Sequence, residues 1–254
     1  MDEYLYRYVS FETFVGMVQS KTLTFVLPKL WDDPKECASF KYYVSHLDNV
    51  YERLALLSIY HKTFFQCWTT LAESDAMWRI YSYNNRSLRI SVKRNNISLL
   101  DDVKATDVEY SDDFDCEFEN DESGYLKMLS RKRTAFEHES EVRLIKHYKF
   151  VGTDDIKKHV YAWLAIPEHP NFIEVLEAQF PGESIEEKAQ AVLETLNIGN
   201  EAKQFINVSF AHVNGFIENV LVHPLAPEWY VDIVREFCTN NEIRFAGKSN
   251  LYTE

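Results

Sequence analysis

The alternation of apolar and polar positions along the chain predicts most of its elements. Leu5-Tyr6-Arg7-Tyr8-Val9 alternates and is rich in aromatic and β-branched residues, which predicts a strand with Arg7 facing away from Tyr6 and Tyr8. Ser10 reads as a helix N-cap, Phe11, Phe14, Val15 and Val18 follow at helical spacing, and a strand comes next over Thr22 to Val26. Pro28 and the cluster Trp31-Asp32-Asp33-Pro34 predict a turn in which Asp33 bonds to nearby backbone N–H groups. A helix with a broad apolar face is expected from Tyr42 to His61, then a buried strand over Phe64 to Thr70 that ends in two hydroxyls. Ser74 is a good cap for a short helix reaching Tyr81, and Ser87 to Val92 alternates as a strand.

The second half is patterned less evenly. Asp107 to Tyr110 has strand character, Tyr125 to Arg133 is a basic, helix-like run, and Glu139 to Ile145 and His159 to Ile166 read as strands. Ser184 with Glu187 forms a capping box, so residues 167–204 are expected to be a helical excursion. A βαβ-like unit closes the chain: a strand over Phe216 to Val222, a helix opened by Pro227 with Trp229, Ile233, Val234 and Phe237 inward, and a strand over Glu242 to Ala246.

Composition narrows the classes. With 254 residues, 46% of them apolar, and neither repeat nor Pro/Gly/Ser linker, the chain reads as one domain over residues 1–254. An acidic N-terminus and the lack of any apolar run near the roughly 18 residues that span a bilayer predict a cytoplasmic protein with no membrane partner. Cys37, Cys67, Cys116 and Cys238 form no Cys-x-x-Cys pair and the histidines no His-x-x-x-His, so no metal site is expected. Most of the net charge of -13 sits in one acidic segment, residues 101–122, which holds 11 acidic residues against Lys104. The rest is close to neutral. The 7 glycines are scattered, which excludes Gly-x-Gly-x-x-Gly and P-loop phosphate cradles.

The densest chemistry lies in Glu139-Ser140-Glu141-Val142-Arg143. In a strand Glu139, Glu141 and Arg143 share one face, with two carboxylates about 7 Å apart and a cation able to sit beside them. The common meaning of such a run is a solvated face with an internal ion pair. Trp78 and Tyr81 read equally as core aromatics, and the basic run Tyr125 to Arg133 balances the acidic segment beside it.

Taken together these stretches resemble a known family. Tyr6-Arg7-Tyr8, Asp32-Asp33-Pro34-Lys35-Glu36, Cys67-Trp68-Thr69, Met77-Trp78-x-x-Tyr81, Glu139-x-Glu141-x-Arg143 and Lys248-Ser249-Asn250-Leu251 resemble, in order, a bacterial family named only as a domain of unknown function. Asp32, Lys35 and Trp68-Thr69 depart from its usual Asn, Phe and Phe-Ser. The order of elements is also similar to that of ADP-ribosyltransferases, which split NAD and transfer ADP-ribose. That resemblance implies an α+β fold, a mixed, mostly antiparallel split sheet of about 6 to 8 strands with flanking helices. It implies NAD as substrate, held between two small sheets without a glycine loop.

The roles it implies are specific. Glu141 would stabilise the oxocarbenium charge through the ribose hydroxyls, Glu139 would orient or deprotonate the acceptor, and Arg7 would hold the pyrophosphate. Thr69 would brace the carboxylate or ribose, and Tyr81 or Trp78 would stack on the nicotinamide. The acceptor would be a nucleic acid or a protein, and the setting a toxin–antitoxin or anti-phage system with an antitoxin or phage protein as partner. Two other classes compete: a non-catalytic sensor or interaction module of such a system, and a Mg²⁺-dependent nuclease drawing on Asp32, Asp33 and Glu36 with the two later glutamates.

Overall fold

The structure is a computed structural model. It describes residues 3–48, 62–115, 121–147 and 204–253, with isolated positions between them. In chain order the elements are β1 (Tyr4–Ser10), α1 (Phe11–Ser20), β2 (Thr22–Val26), α2 (Ala38–His46), β3 (Phe64–Thr69), α3 (Asp75–Ile80) and β4 (Ser87–Lys93). There follow β5 (Lys104–Asp107), β6 (Glu109–Tyr110), α4 (Glu122–Leu129), β7 (Arg131–Lys132), β8 (Glu141–Lys146), β9 (Phe205–Ser209), α5 (Val213–Phe216), β10 (Asn219–Val222), α6 (Glu228–Asn240) and β11 (Phe245–Lys248).

The fold is mixed α+β. Among the described residues nine strands form one sheet, running β11-β10-β4-β1-β3-β2-β9, with β8 and then β5 branching from β3. Every pairing in it is antiparallel except β10 with β11. β6 and β7 form a separate parallel pair.

How β3 shares its edges makes the site. β8 pairs with β3 all the way from Phe64 to Thr69 and takes one edge. β1 and β2 must share the other: β1 touches it at Tyr6↔Thr69, β2 at Val26↔Phe65. Between these points the two strands part and leave a gap. The Gln66 side chain spans part of it, donating to Thr24 O at 3.1 Å and accepting from Trp68 Nε1 at 2.8 Å, so the unpaired stretch keeps hydrogen-bond partners.

Strand alternation then divides the core. Val142 and Leu144 of β8 join the main cluster with Leu5, Phe14, Ile90 and Val234, under α1 and α6. Phe65 and Ile145 point the other way, into a second cluster with Phe40 of α2 and Tyr125 of α4.

The predicted strands at β1 to β4 are present, and so are the caps. Ser10 Oγ accepts from Thr13 N at 3.2 Å, Ser74 Oγ from Met77 N at 3.3 Å, and Asp33 Oδ1 from Lys35 N at 3.0 Å. Other expectations are corrected. The helix expected from Tyr42 starts at Ala38 and ends at His46, where Leu47 turns extended. Most of its expected remainder lies outside the described residues, as do the strand at His159 to Ile166 and most of the excursion at 167–204. The basic run is helical only to Leu129, after which Arg131 and Lys132 are strand. Phe216 closes a short helix, and β10 starts at Asn219. On α6 the inward residues are Tyr230, Val231, Val234 and Cys238, leaving Trp229 and Ile233 exposed; the helix is rotated from the expected face. Among the described residues no helix is long and apolar enough to cross a membrane.

Candidate functional site

A cavity of about 460 Å³ opens at the gap. Its rear wall follows from register: Tyr6 pairs with Thr69 and Thr69 with Glu141, so one row of residues crosses β1, β3 and β8. Cys67 and Arg143 form the next row down.

Glu139 does not continue β8. It ends a 3-10 turn over Thr134–Glu139, and Ser140 at φ 42° takes a left-handed conformation that breaks the strand. The expected sharing of one strand face by Glu139 and Glu141 is therefore wrong in detail. A cation brings them together instead: Lys132 Nζ donates to Glu139 Oε2 at 2.7 Å and to Glu141 Oε2 at 2.8 Å.

Glu141 is fully committed to cations. Its Oε1 accepts from Arg143 Nε at 2.9 Å, and its backbone N donates to the Tyr110 hydroxyl at 2.7 Å. Arg143, wholly buried, also donates to Glu36 and to Leu129 O, and its guanidinium lies 5.0 Å above the Trp31 ring. Burial alone would raise the Glu141 pKa, but the charges of Arg143 and Lys132 hold it down at about 2. Burial, with Glu141 next to it, pushes the Cys67 thiol well up. The floor is therefore a fixed lattice of Glu141, Arg143 and Lys132 charges beside a neutral thiol.

The remaining candidates separate clearly. Thr69 is buried, its hydroxyl donating to Glu139 O at 2.6 Å and accepting from Leu71 N at 3.0 Å, so it braces the Glu139 turn. Tyr81 borders the cavity and is 44% exposed. Trp78 does not: it is fully buried, bonded to Glu73 Oε2 at 2.9 Å, with Tyr8 and His223 against its ring. Arg7, turned by alternation to the face opposite Tyr6, also lines the cavity. It has no hydrogen bond or ion pair with any described residue, and burial lowers its pKa.

Asp32, Asp33, Glu36 and Lys132 complete the charged lining. Arg133 Nη2 donates to Asp33 Oδ1 at 3.0 Å. Among the described residues no three His, Cys, Asp or Glu side chains gather as a metal ion would need; Glu36, Glu139 and Glu141 face Arg143 and Lys132. Lys132 was not singled out by sequence, because its role depends on α4 ending three residues before it. Glu36 had a signal, the Asp-Asp-Pro-x-Glu turn that contains it. No protein-family model, curated protein or solved structure matches this chain.

Proposed function

We propose that this cavity binds NAD and that the protein is an NAD-dependent ADP-ribosyltransferase acting on a macromolecule, in a toxin or anti-phage role. The observation that carries the reading is that Arg7, Thr69, Tyr81, Glu139 and Glu141 all line one cavity at a split in the sheet. The divided sheet also supports an ADP-ribosyltransferase-like fold.

The geometry favours a division of labour between the glutamates. Both Glu141 oxygens already hold a cation, whereas Oε1 of Glu139 has no partner among the described residues. Glu139 therefore takes the ribose hydroxyl, and Glu141 holds Lys132 in place. As the nicotinamide–ribose bond breaks, its electron pair goes to the pyridinium nitrogen and neutral nicotinamide leaves. Positive charge builds on the ribose, where the side chain of Glu139 stabilises it more than in the ground state. The acceptor's nucleophile then bonds to that carbon and gives up its proton to water. Arg7 offers the pyrophosphate a fork of unpaired donors, and Tyr81 gives the nicotinamide a face to stack on.

The test uses NAD labelled on the adenylate phosphate, purified protein and bacterial lysate, beside Glu139→Gln. Label entering a macromolecule with the wild type alone supports the transferase, and protease or nuclease treatment of the product gives the acceptor class. No incorporation and no NAD loss would refute it. A second reading, a non-catalytic interaction module of a defence or toxin–antitoxin system, draws on Trp229 and Ile233, exposed four residues apart on α6. It requires Glu139→Gln to leave the biological effect intact.

A further inference from the structure

Arg7 and Thr24 line a second cavity as well as the first. This groove, of about 350 Å³, runs between α1 and the β2–β9 pair, where Thr13, Gly16, Thr22 and Asn207 border it. Arg7 and Thr24 are thus a wall that the two spaces share. Their chemistry differs sharply. The first is lined by five carboxylates, the second by none.

What the groove offers is donors. The Arg7 guanidinium has no partner among the described residues, and neither has the Asn207 amide nitrogen; Asn207 Oδ1 is occupied by the Thr24 hydroxyl at 2.9 Å. A half-buried cation left without a carboxylate is costly unless a ligand supplies the negative charge, and a planar fork of donors matches phosphate oxygens.

Gly16 is a separate observation. Glycine inside a helix is less stable than alanine, and it is normally kept for a positive φ or for close packing. Gly16 has neither reason: its backbone is helical, and a Cβ built on it would meet nothing within 4 Å. The space beside it opens into the groove.

We infer that the groove is a nucleoside diphosphate subsite. The phosphates sit on Arg7 in the gap, the sugar lies among the hydroxyls of Thr13 and Thr22 and the amide of Asn207, and the base covers Met17. The inference rests on the proposed function only in naming the ligand: the ADP half of NAD occupies the groove, while its nicotinamide riboside half stays with Tyr81 and Glu139.

The experiment is calorimetric titration of ADP and, separately, of nicotinamide riboside into wild type, Gly16→Leu and Asn207→Asp. Gly16→Leu fills the groove from a position with open space, and Asn207→Asp keeps the shape while replacing the donor amide at the sugar with a negative charge that also repels the anionic ligand. Both should weaken ADP by at least about tenfold and leave nicotinamide riboside within about twofold. Equal ADP affinity in all three proteins, or none in the wild type, would overturn the subsite. ADP binding lost in both variants, from a wild type that never consumes NAD, would uphold the subsite and overturn the transferase reading.

Discussion

Lys132 Nζ lies 2.8 Å from Glu141 Oε2, with the two side chains only 11% and 3% exposed. A pair so shielded is costly to break from one side, because the partner stays behind as a buried charge. Lys132→Met leaves Glu139 without its cation and Glu141 with Arg143 alone, and should destabilise the fold by about 3 to 5 kcal/mol in urea denaturation. Lys132→Arg, which keeps the charge, should recover most of this. A loss below about 1 kcal/mol would mean that solvent screens the pair as at an open surface.

Glu141 should also shape stability against pH. Its folded-state pKa is about 2 against an ordinary 4.5, so the folded protein holds it ionised where the unfolded chain binds a proton. Its contribution is full above about pH 4.5 and is lost as pH falls towards about 2, of order 3 kcal/mol in all. Glu141→Gln lowers stability at neutral pH by orphaning Lys132 and Arg143, but the readout is the slope. Between these pH values the variant's unfolding free energy should vary less than the wild type's; equal slopes would reject Glu141 as the titrating group.

Local chemistry made part of this arrangement legible. Tyr6, Arg7 and Tyr8 alternate, Ser10 and Ser74 can each cap only the helix that follows, and the Asp33 turn needs no distant partner. What could not be read depends on segments far apart in sequence. β9 exists because Phe205 to Ser209 pairs with β2, some 180 residues earlier. Lys132 matters because a two-residue strand beside Glu109 and Tyr110 follows α4, where charge periodicity continued the helix. Glu139 and Glu141 were expected to be neighbours, and are, but through a shared lysine and a left-handed Ser140 that a strand pattern does not reveal. The split in the sheet, which makes the cavity, is a matter of which edge of β3 each strand takes.

Arg7 and Arg143 should respond oppositely to loss of charge. Arg143 holds Glu36 and Glu141 in the interior, so Arg143→Met should cost about 3 to 5 kcal/mol. Arg7 holds no described carboxylate, and its charge sits in a partly desolvated gap. Arg7→Gln should leave the unfolding free energy within about 0.5 kcal/mol of wild type, or raise it, while NAD binding is lost. A stability loss as large as that of Arg143→Met would show a structural ion pair and remove Arg7 from the site.

Gly16→Ala separates the cost of the groove from its use. Alanine suits the helical backbone at this position better and its Cβ enters open space, so the variant should be more stable by about 0.5 to 1 kcal/mol. In a chain of this size that corresponds to a rise in Tm of roughly 1 to 4 °C, read by scanning calorimetry. One methyl narrows the groove without filling it, so ADP affinity should fall less than in Gly16→Leu. A glycine that lowers stability is retained where the space beside it is needed, and the two substitutions test this by moving stability and affinity in opposite directions. A variant less stable than wild type would mean that the helix tolerates no side chain at this position, and that glycine is there for the fold alone.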